Sequence, residues 1–526
     1  MSLRNVLITF TLSLALNFFA CTTQTPDRST SGEVAYTEQY RPQFHFSPDS
    51  MWMNDPNGMV YHEGEYHLFY QFHPYSTVWG PMHWGHAITR DLVHWEHLPI
   101  ALYPDSLGTI FSGSAVIDRN NSSGLGSIEN PPMVAIFTHH NQALADTGSD
   151  LFQYQSIAYS LDKGRSWTKY QGNPVLLNPG IRDFRDPKVS WFAEGEKWIM
   201  TLAAHDRIMF YSSPDLIDWT LESEFGAHTG AHGGVWECPD LFPMDVEGEE
   251  KWVLLVSISP GGPNGGSATQ YFVGEFDGKH FHNENPGTEA LWVDHGKDNY
   301  AGVTWSDIPE GDGRRIFLGW MSNWQYANQV PTERWRSAMT LPRELKLVRA
   351  ENGYLLRSVP VVETEVLRGE RIELEPGPVK GRNNVGADFE IAYPLYEIDL
   401  VFEYNPLDEE TEFGIVLEST KQEQLIAAFN TRTRQVSISR NASGKIDFSE
   451  HFRGSHSAPY QISKEGEIRF HAFIDLSSIE LFVDQGELVM TELCFPESGF
   501  ETIHLFSSEE SVSLKKGEIY SLKRTW

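Results

Sequence analysis

Three short segments set an acid close to a proline: Trp52-Met53-Asn54-Asp55-Pro56-Asn57-Gly58, Phe184-Arg185-Asp186-Pro187-Lys188 and Trp236-Glu237-Cys238-Pro239-Asp240. Proline has a fixed φ and no N–H, so each acid is expected at a strand end or rigid turn rather than on a helix. One such pair is ordinary turn chemistry. Three of them, presented from separate strands, can converge on one pocket and supply what cleavage of a glycosidic bond requires: a carboxylate to attack carbon and a carboxylic acid to protonate the leaving oxygen. Two carboxylates brought close cannot easily both ionise, so one holds its proton toward working pH. Trp236 and Cys238 are weakly polar neighbours expected to push the Glu237 carboxyl upward. Arg185 is expected to keep the adjacent Asp186 ionised.

The elements around these segments read as β-structure. With 43 glycines, 29 prolines, 13% aromatic residues and many short runs of Val, Ile, Phe, Tyr and Trp, the 526-residue chain carries few helix signals. A weak repeat runs through its first two-thirds: Thr89, Asp91, Trp95; Ser160, Asp162, Trp167; and Ser213, Asp215, Trp219, each after a strand-like run. Asp or Ser at a hairpin bonds the backbone locally, and the following Trp packs on the neighbouring sheet. Periods of this size with several short strands suggest propeller blades, and about 300 residues at roughly 60 each give five. Residues 341–360 read as the exit from the propeller. Beyond about Leu374, period-two strands over 396–402 and 479–483 suggest a β-sandwich. The expected organisation is all-β: a signal peptide over 1–20, a flexible tether over 21–39, a five-bladed β-propeller catalytic domain over 40–360 and a C-terminal β-sandwich over 370–526.

The three segments, in this order, resemble the signature segments of glycoside hydrolase family 32, the invertase, inulinase and levanase family. The resemblance covers roughly Tyr40 to the C-terminus. It implies the same propeller and sandwich, no cofactor and no catalytic metal. It also implies a retaining β-fructosidase that hydrolyses terminal non-reducing fructose from levan, inulin or sucrose through a covalent fructosyl-enzyme. By that resemblance Asp55 matches the nucleophile and Glu237 the general acid and later base. Asp186 matches the acid that holds fructose hydroxyls and stabilises the transition state. Asn54 and Gln71 match hydrogen-bonding positions of the sugar pocket, with Arg185 beside them. Trp79 and Trp320 match aromatic walls, Phe111 and Ser112 another pocket edge, and Tyr300 fits a hydroxyl donor near the acid pair. The run 475–482 resembles part of the family's sandwich and is expected to buttress rather than to bind sugar. An endo-acting levanase, a sucrose-restricted invertase, a fructosyltransferase and a non-catalytic sugar-binding propeller stay open, although the presence of all three acids argues against the last.

Other features narrow the class. A formal net charge of −32 argues against a nucleic-acid partner, whose phosphates would be repelled. Three cysteines, Cys21, Cys238 and Cys494, define neither a disulfide framework nor a Cys-based zinc site. His83, His86, His94, His97, His139 and His140 form no H-E-x-x-H pattern and are expected as surface or pocket-edge groups. The glycine-rich stretch 260–267 lacks the Lys-Ser/Thr of a phosphate loop and is expected as a turn at the propeller mouth. Residues 1–20 read as an export signal, with Arg4 before an apolar run over 6–16. Its end, Ala20-Cys21, resembles a bacterial lipoprotein cleavage site. The expectation is therefore an exported protein lipidated at Cys21, at the cell surface or periplasmic face and touching a membrane only through that anchor, with simple secretion as the alternative.

Overall fold

The computed structural model describes residues 36–526 apart from 286–288, 387–392, 408–409 and 461–463. The export signal, most of the tether and Cys21 lie outside the described residues. The chain first winds five sheets. They start at Met51–His62, Thr109–Ile117, Phe184–Phe192, Val235–Val246 and Tyr300–Thr304, and each continues antiparallel through three further strands. The first strand of each sheet packs against the first strand of the next, and the fifth returns to the first. That closed ring is a five-bladed β-propeller with those strands around its axis. The ring is tied at its seam where Trp335–Arg336, from the fifth-blade region, pairs parallel with Met51 and Trp52.

Strands close to the axis are covered on both sides. In the second strand of the first blade, Glu65–His73, every residue is buried. Long apolar runs rather than strict alternation follow from that two-sided burial. The sequence repeat falls at one place in the blades, the turn from third to fourth strand. Asp91 Oδ1 accepts from Thr89 Oγ1 and from the N–H groups of Val93 and His94. Asp162 Oδ1 accepts from Ser160 Oγ and Ser166 N, and Asp215 Oδ1 from Ser213 Oγ, Ile217 N and Asp218 N.

After the propeller, two sheets pack face to face. One runs through Arg368–Leu374, Ser513–Leu522, Tyr396–Glu403, Glu467–Asp475, Ser478–Val483 and Leu488–Leu493; the other centres on Glu412–Glu418 and Gln424–Asn430. Their inner faces form one large apolar core that includes Phe402, Phe413, Phe429 and Phe470. Cys494 lies in that core and Cys238 in the propeller, both as free thiols.

The run 475–482 joins the two parts. Asp475 accepts from Gln43 N and pairs with His45 Nδ1 at 2.8 Å, while Glu480 meets His45 Nε2 at 2.8 Å and Arg343 Nε at 3.0 Å. The glycine-rich turn 260–267 docks there too. Asn264 Nδ2 donates to His295 O and Ser457 O, so this turn faces the sandwich as well as the mouth, where Ser267 Oγ accepts from Trp324 N.

Candidate active site

Every axial strand carries a bulge at the same level, two residues opposing one on the neighbouring strand. The doubled pairs are Asn54-Asp55, Phe111-Ser112, Asp186-Pro187, Cys238-Pro239 and Ala301-Gly302. A bulge leaves one residue outside the ladder and re-aims a side chain. This corrects the expectation of strand ends or turns: the acids sit inside strands. Pro187 and Pro239 fit for that reason, since a position outside the ladder needs no N–H, while Pro56 stands opposite Tyr70 just past its bulge. Asp186, Cys238 and Ala301 adopt positive φ values of 66°, 44° and 54°. Such backbone is costly for non-glycine residues and is held by the surrounding structure. Gly58, at φ 56°, forms a second bulge in the first strand, and a Cβ there would come within 2.6 Å of Phe69.

These bulges bring Asp55, Asp186 and Glu237 to the wall of one cavity of about 440 Å³. Trp52 Nε1 donates to Asn54 Oδ1 at 2.7 Å, which turns the Asn54 amide so that Nδ2 donates to Asp55 Oδ1 at 3.0 Å. Ser112 Oγ donates to Asp55 Oδ2 at 2.8 Å. Burial, then the nearby Glu237 charge, raise the Asp55 carboxyl above its ordinary range. Asp186 accepts from the Cys238 N–H at 3.1 Å. The Cys238 thiol lies between two acids, 3.7 Å from Asp55 Oδ2 and 3.6 Å from Asp186 Oδ2.

Two electrostatic expectations are corrected. Arg185 does not pair primarily with Asp186, from which its Nε is 4.0 Å. Its Nε and Nη2 instead donate to Glu237 Oε1 at 3.0 and 2.9 Å, and its Nη1 to Asp183 Oδ1 at 2.6 Å. Burial therefore dominates Asp186; Arg185 opposes it, Glu237 and Asp55 add to it, and the carboxyl rises to about 7. Trp236 does not line Glu237. It is fully buried against Phe272, with its Nε1 donating to Ala231 O. The contacts of Glu237 are Arg185 on Oε1 and the Tyr300 hydroxyl on Oε2.

Asn54, Gln71, Trp79, Phe111, Ser112 and Arg185 all line the cavity. Among the described residues, Gln71 Nε2 is buried without a protein acceptor, a donor left for a ligand. Tyr300 is buried behind Glu237 and does not reach the wall. Trp320 does not reach it either. It is fully buried 4.8 Å from Trp324, and Trp324 forms the wall that sequence reasoning gave to Trp320. Sequence reasoning also missed Phe152, Gln153, Arg182 and Asp183. His140 stacks on Phe111 at 4.3 Å and 8°, at the pocket edge. His83, His86 and His139 are instead buried within the blades and do not line the cavity, which corrects the expectation of surface or pocket-edge groups for them. One step deeper, Lys188 Nζ meets Asp240 Oδ2 at 3.2 Å and Thr304 O at 2.5 Å. These three residues line a separate cavity of about 730 Å³ on the far side and none of the first one. The funnel is therefore blind.

A propeller that gathers three carboxyls, a guanidinium and stacked aromatic rings around a blind funnel has the equipment of a glycoside hydrolase. The comparisons with known proteins give the family. Residues 45–360 match the glycosyl hydrolases family 32 N-terminal domain and residues 363–521 the family 32 C-terminal domain. The chain belongs to glycoside hydrolase family 32. It is 47% identical to a levanase of Bacillus subtilis (strain 168), over 99% of this chain and 75% of that protein. It is 38% identical to an extracellular exo-inulinase of Aspergillus awamori, over 93% and 96%. The crystal structure of an A. awamori exo-inulinase superposes with a TM-score of 0.84 at 36% identity, covering 93% of this chain and all of that one. A fructofuranosidase of Schwanniomyces occidentalis complexed with fructosylnystose superposes with a TM-score of 0.84 at 31% identity, covering 93% and 99%.

Proposed function

We propose that this glycoside hydrolase is a retaining, exo-acting β-fructosidase that removes terminal fructose from fructans and sucrose. The observation that carries the reading is the convergence of Asp55, Asp186 and Glu237 at one level of a blind funnel. A closed floor suits a chain end better than a passing chain. The names of the relatives, levanase and exo-inulinase, support the substrate class.

In this reading a carboxylate oxygen of Asp55, oriented by Asn54 and Ser112, attacks the anomeric carbon as the bond to the leaving oxygen breaks. Glu237 gives its proton to that oxygen, then takes one from the water that attacks the same carbon and releases Asp55. Asp186 accepts hydrogen bonds from sugar hydroxyls, which strengthen as the ring gains positive charge. Arg185 and Tyr300 hold Glu237 in place. Trp79, Phe111 and Trp324 bear on the sugar faces, and the free Gln71 amide bonds a hydroxyl.

The export pattern of residues 1–20 and the relative named as extracellular support an exported enzyme. Labelling with a lipid precursor, with Cys21→Ala as the control, tests anchoring. The reaction itself is tested by a time course on levan, inulin and sucrose. Free fructose as the sole early product supports the reading, and early oligosaccharides overturn exo action. Asp55→Ala and Glu237→Ala are each expected to lower kcat by at least about 10³-fold. Near-normal turnover in either sinks the assignment of roles.

A further inference from the structure

Tyr75 and Tyr103 lie outside the cavity and are 73% and 53% exposed. Tyr75 belongs to the loop between Glu65–His73 and His83–Thr89, and Tyr103 directly follows Trp95–Leu102. Both rings stand edge-on to the buried His83 imidazole, Tyr75 at 5.7 Å and 75° and Tyr103 at 5.5 Å and 79°. His83 is itself fixed, its Nδ1 donating to Pro81 O at 3.1 Å.

The loop that exposes Tyr75 is pinned. Its Ser76 O accepts from Trp52 N at 3.0 Å, its Val78 O from His73 Nδ1 at 2.9 Å, and its Trp79 N donates to Asn328 Oδ1 at 2.9 Å. Gly80 rests on the His73 ring, where a Cβ would come within 2.4 Å. On the other flank, Lys169 Nζ holds Tyr103 O at 2.5 Å and pairs with Asp105. Aromatic rings exposed on a rigid backbone bind without a large ordering cost. The same loop carries Trp79, which is 41% exposed and forms the cavity wall, so the platform is continuous with the mouth.

We propose that Tyr75 and Tyr103 form a second fructan-binding platform that holds the part of a polymer chain lying outside the funnel. This rests on the functional reading above. The chemistry fits an uncharged polysaccharide: sugar C–H faces stack on tyrosine rings, the phenol groups bond hydroxyls, and on the Tyr103 flank Lys169 and Asp105 pair with each other. The chain's charge of −32 disfavours an anionic occupant.

The test compares the full-length wild type with Tyr75→Ala/Tyr103→Ala. The double variant is expected to raise KM on high-molecular-mass levan or inulin about tenfold while sucrose hydrolysis stays within about twofold. Tyr75→Phe/Tyr103→Phe, which keeps the rings, is expected to restore most of the polymer KM. An unchanged polymer KM in the alanine variant overturns the proposal. Retardation of Glu237→Gln protein in levan- or inulin-containing native gels reads the platform without turnover. Its loss on removing both rings supports the platform even if the wild type releases no fructose, the outcome that defeats the functional reading. Retardation that is absent or unaltered overturns the platform. Sedimentation completes the test: a wild-type dimer that the alanine variant converts to monomer, with retardation unaltered, assigns the surface to a second copy of this chain.

Discussion

Asp186 is lifted to about 7 because it is buried and faces two other carboxyls, with Arg185 turned mostly toward Glu237 and Asp183. A carboxyl raised in the folded state from 3.8 binds its proton more tightly there than in the unfolded chain. It is harmless to stability at acid pH and costs progressively more as pH climbs from about 4 through 7. Asp186→Asn is therefore expected to stabilise the fold at pH 8, by on the order of 4 kcal/mol at most, with the gain vanishing near pH 4. The same substitution should abolish most turnover. Thermal unfolding of both proteins across that pH range checks this, and a pH-independent difference would remove the electrostatic account. The acid-bearing segments were legible because each is a short run of distinctive types. The partner of Arg185 was not, because Glu237 lies 52 residues away and only the blade geometry joins them. Choosing between Trp320 and Trp324 needed the strand end: Arg315–Met321 buries the first, and the loop beyond it carries the second to the mouth.

At the level of strands and turns, two recurrent devices divide the work. The bulges, all at one height, aim side chains inward, while the Asp-centred turns close the outer hairpins. Three of those turns were readable from the Ser/Thr, Asp and Trp spacing. A fourth, in which Asp277 accepts from Lys279 N and His280 N, lacks that signature because Glu275 and Phe281 stand where the others have Ser or Thr and Trp. The bulges were invisible in sequence for a different reason. Asp-Pro and Cys-Pro declare that the ladder is interrupted, and only pairing to the next strand shows whether the interruption is an end or a bulge. Asp215→Ala removes an acceptor for one hydroxyl and two N–H groups far from the cavity. It is expected to cost about 1–2 kcal/mol in unfolding free energy with kcat and KM unchanged. Chemical denaturation alongside kinetics checks that split, and a matching loss of activity would mean that the turn also shapes the funnel.

Across the whole molecule, the sandwich is fastened to the propeller by buried charges rather than by apolar contact alone. Arg343 reaches Asp294 at 2.9 Å and also bonds Glu480; Arg440 reaches Asp298 at 2.6 Å and Glu492 at 2.8 Å; His45 is held between Asp475 and Glu480. Buried charges of this kind are expensive to strip of one partner. His45 makes the fastening sensitive to pH. Burial alone would lower its pKa, but the two carboxylates outweigh that and raise it from 6.5 to about 9. A histidine raised in the folded state contributes its full stabilisation below 6.5 and loses it as pH rises through 9. The wild type is thus expected to lose about 3 kcal/mol of stability between pH 6 and 10 from this group. His45→Gln should start less stable at pH 6 and converge on the wild type by pH 10. Calorimetric melting temperatures of the two proteins across that range decide the matter: curves that run parallel would mean that His45 is neutral in the folded protein and that the arginines alone fasten the sandwich.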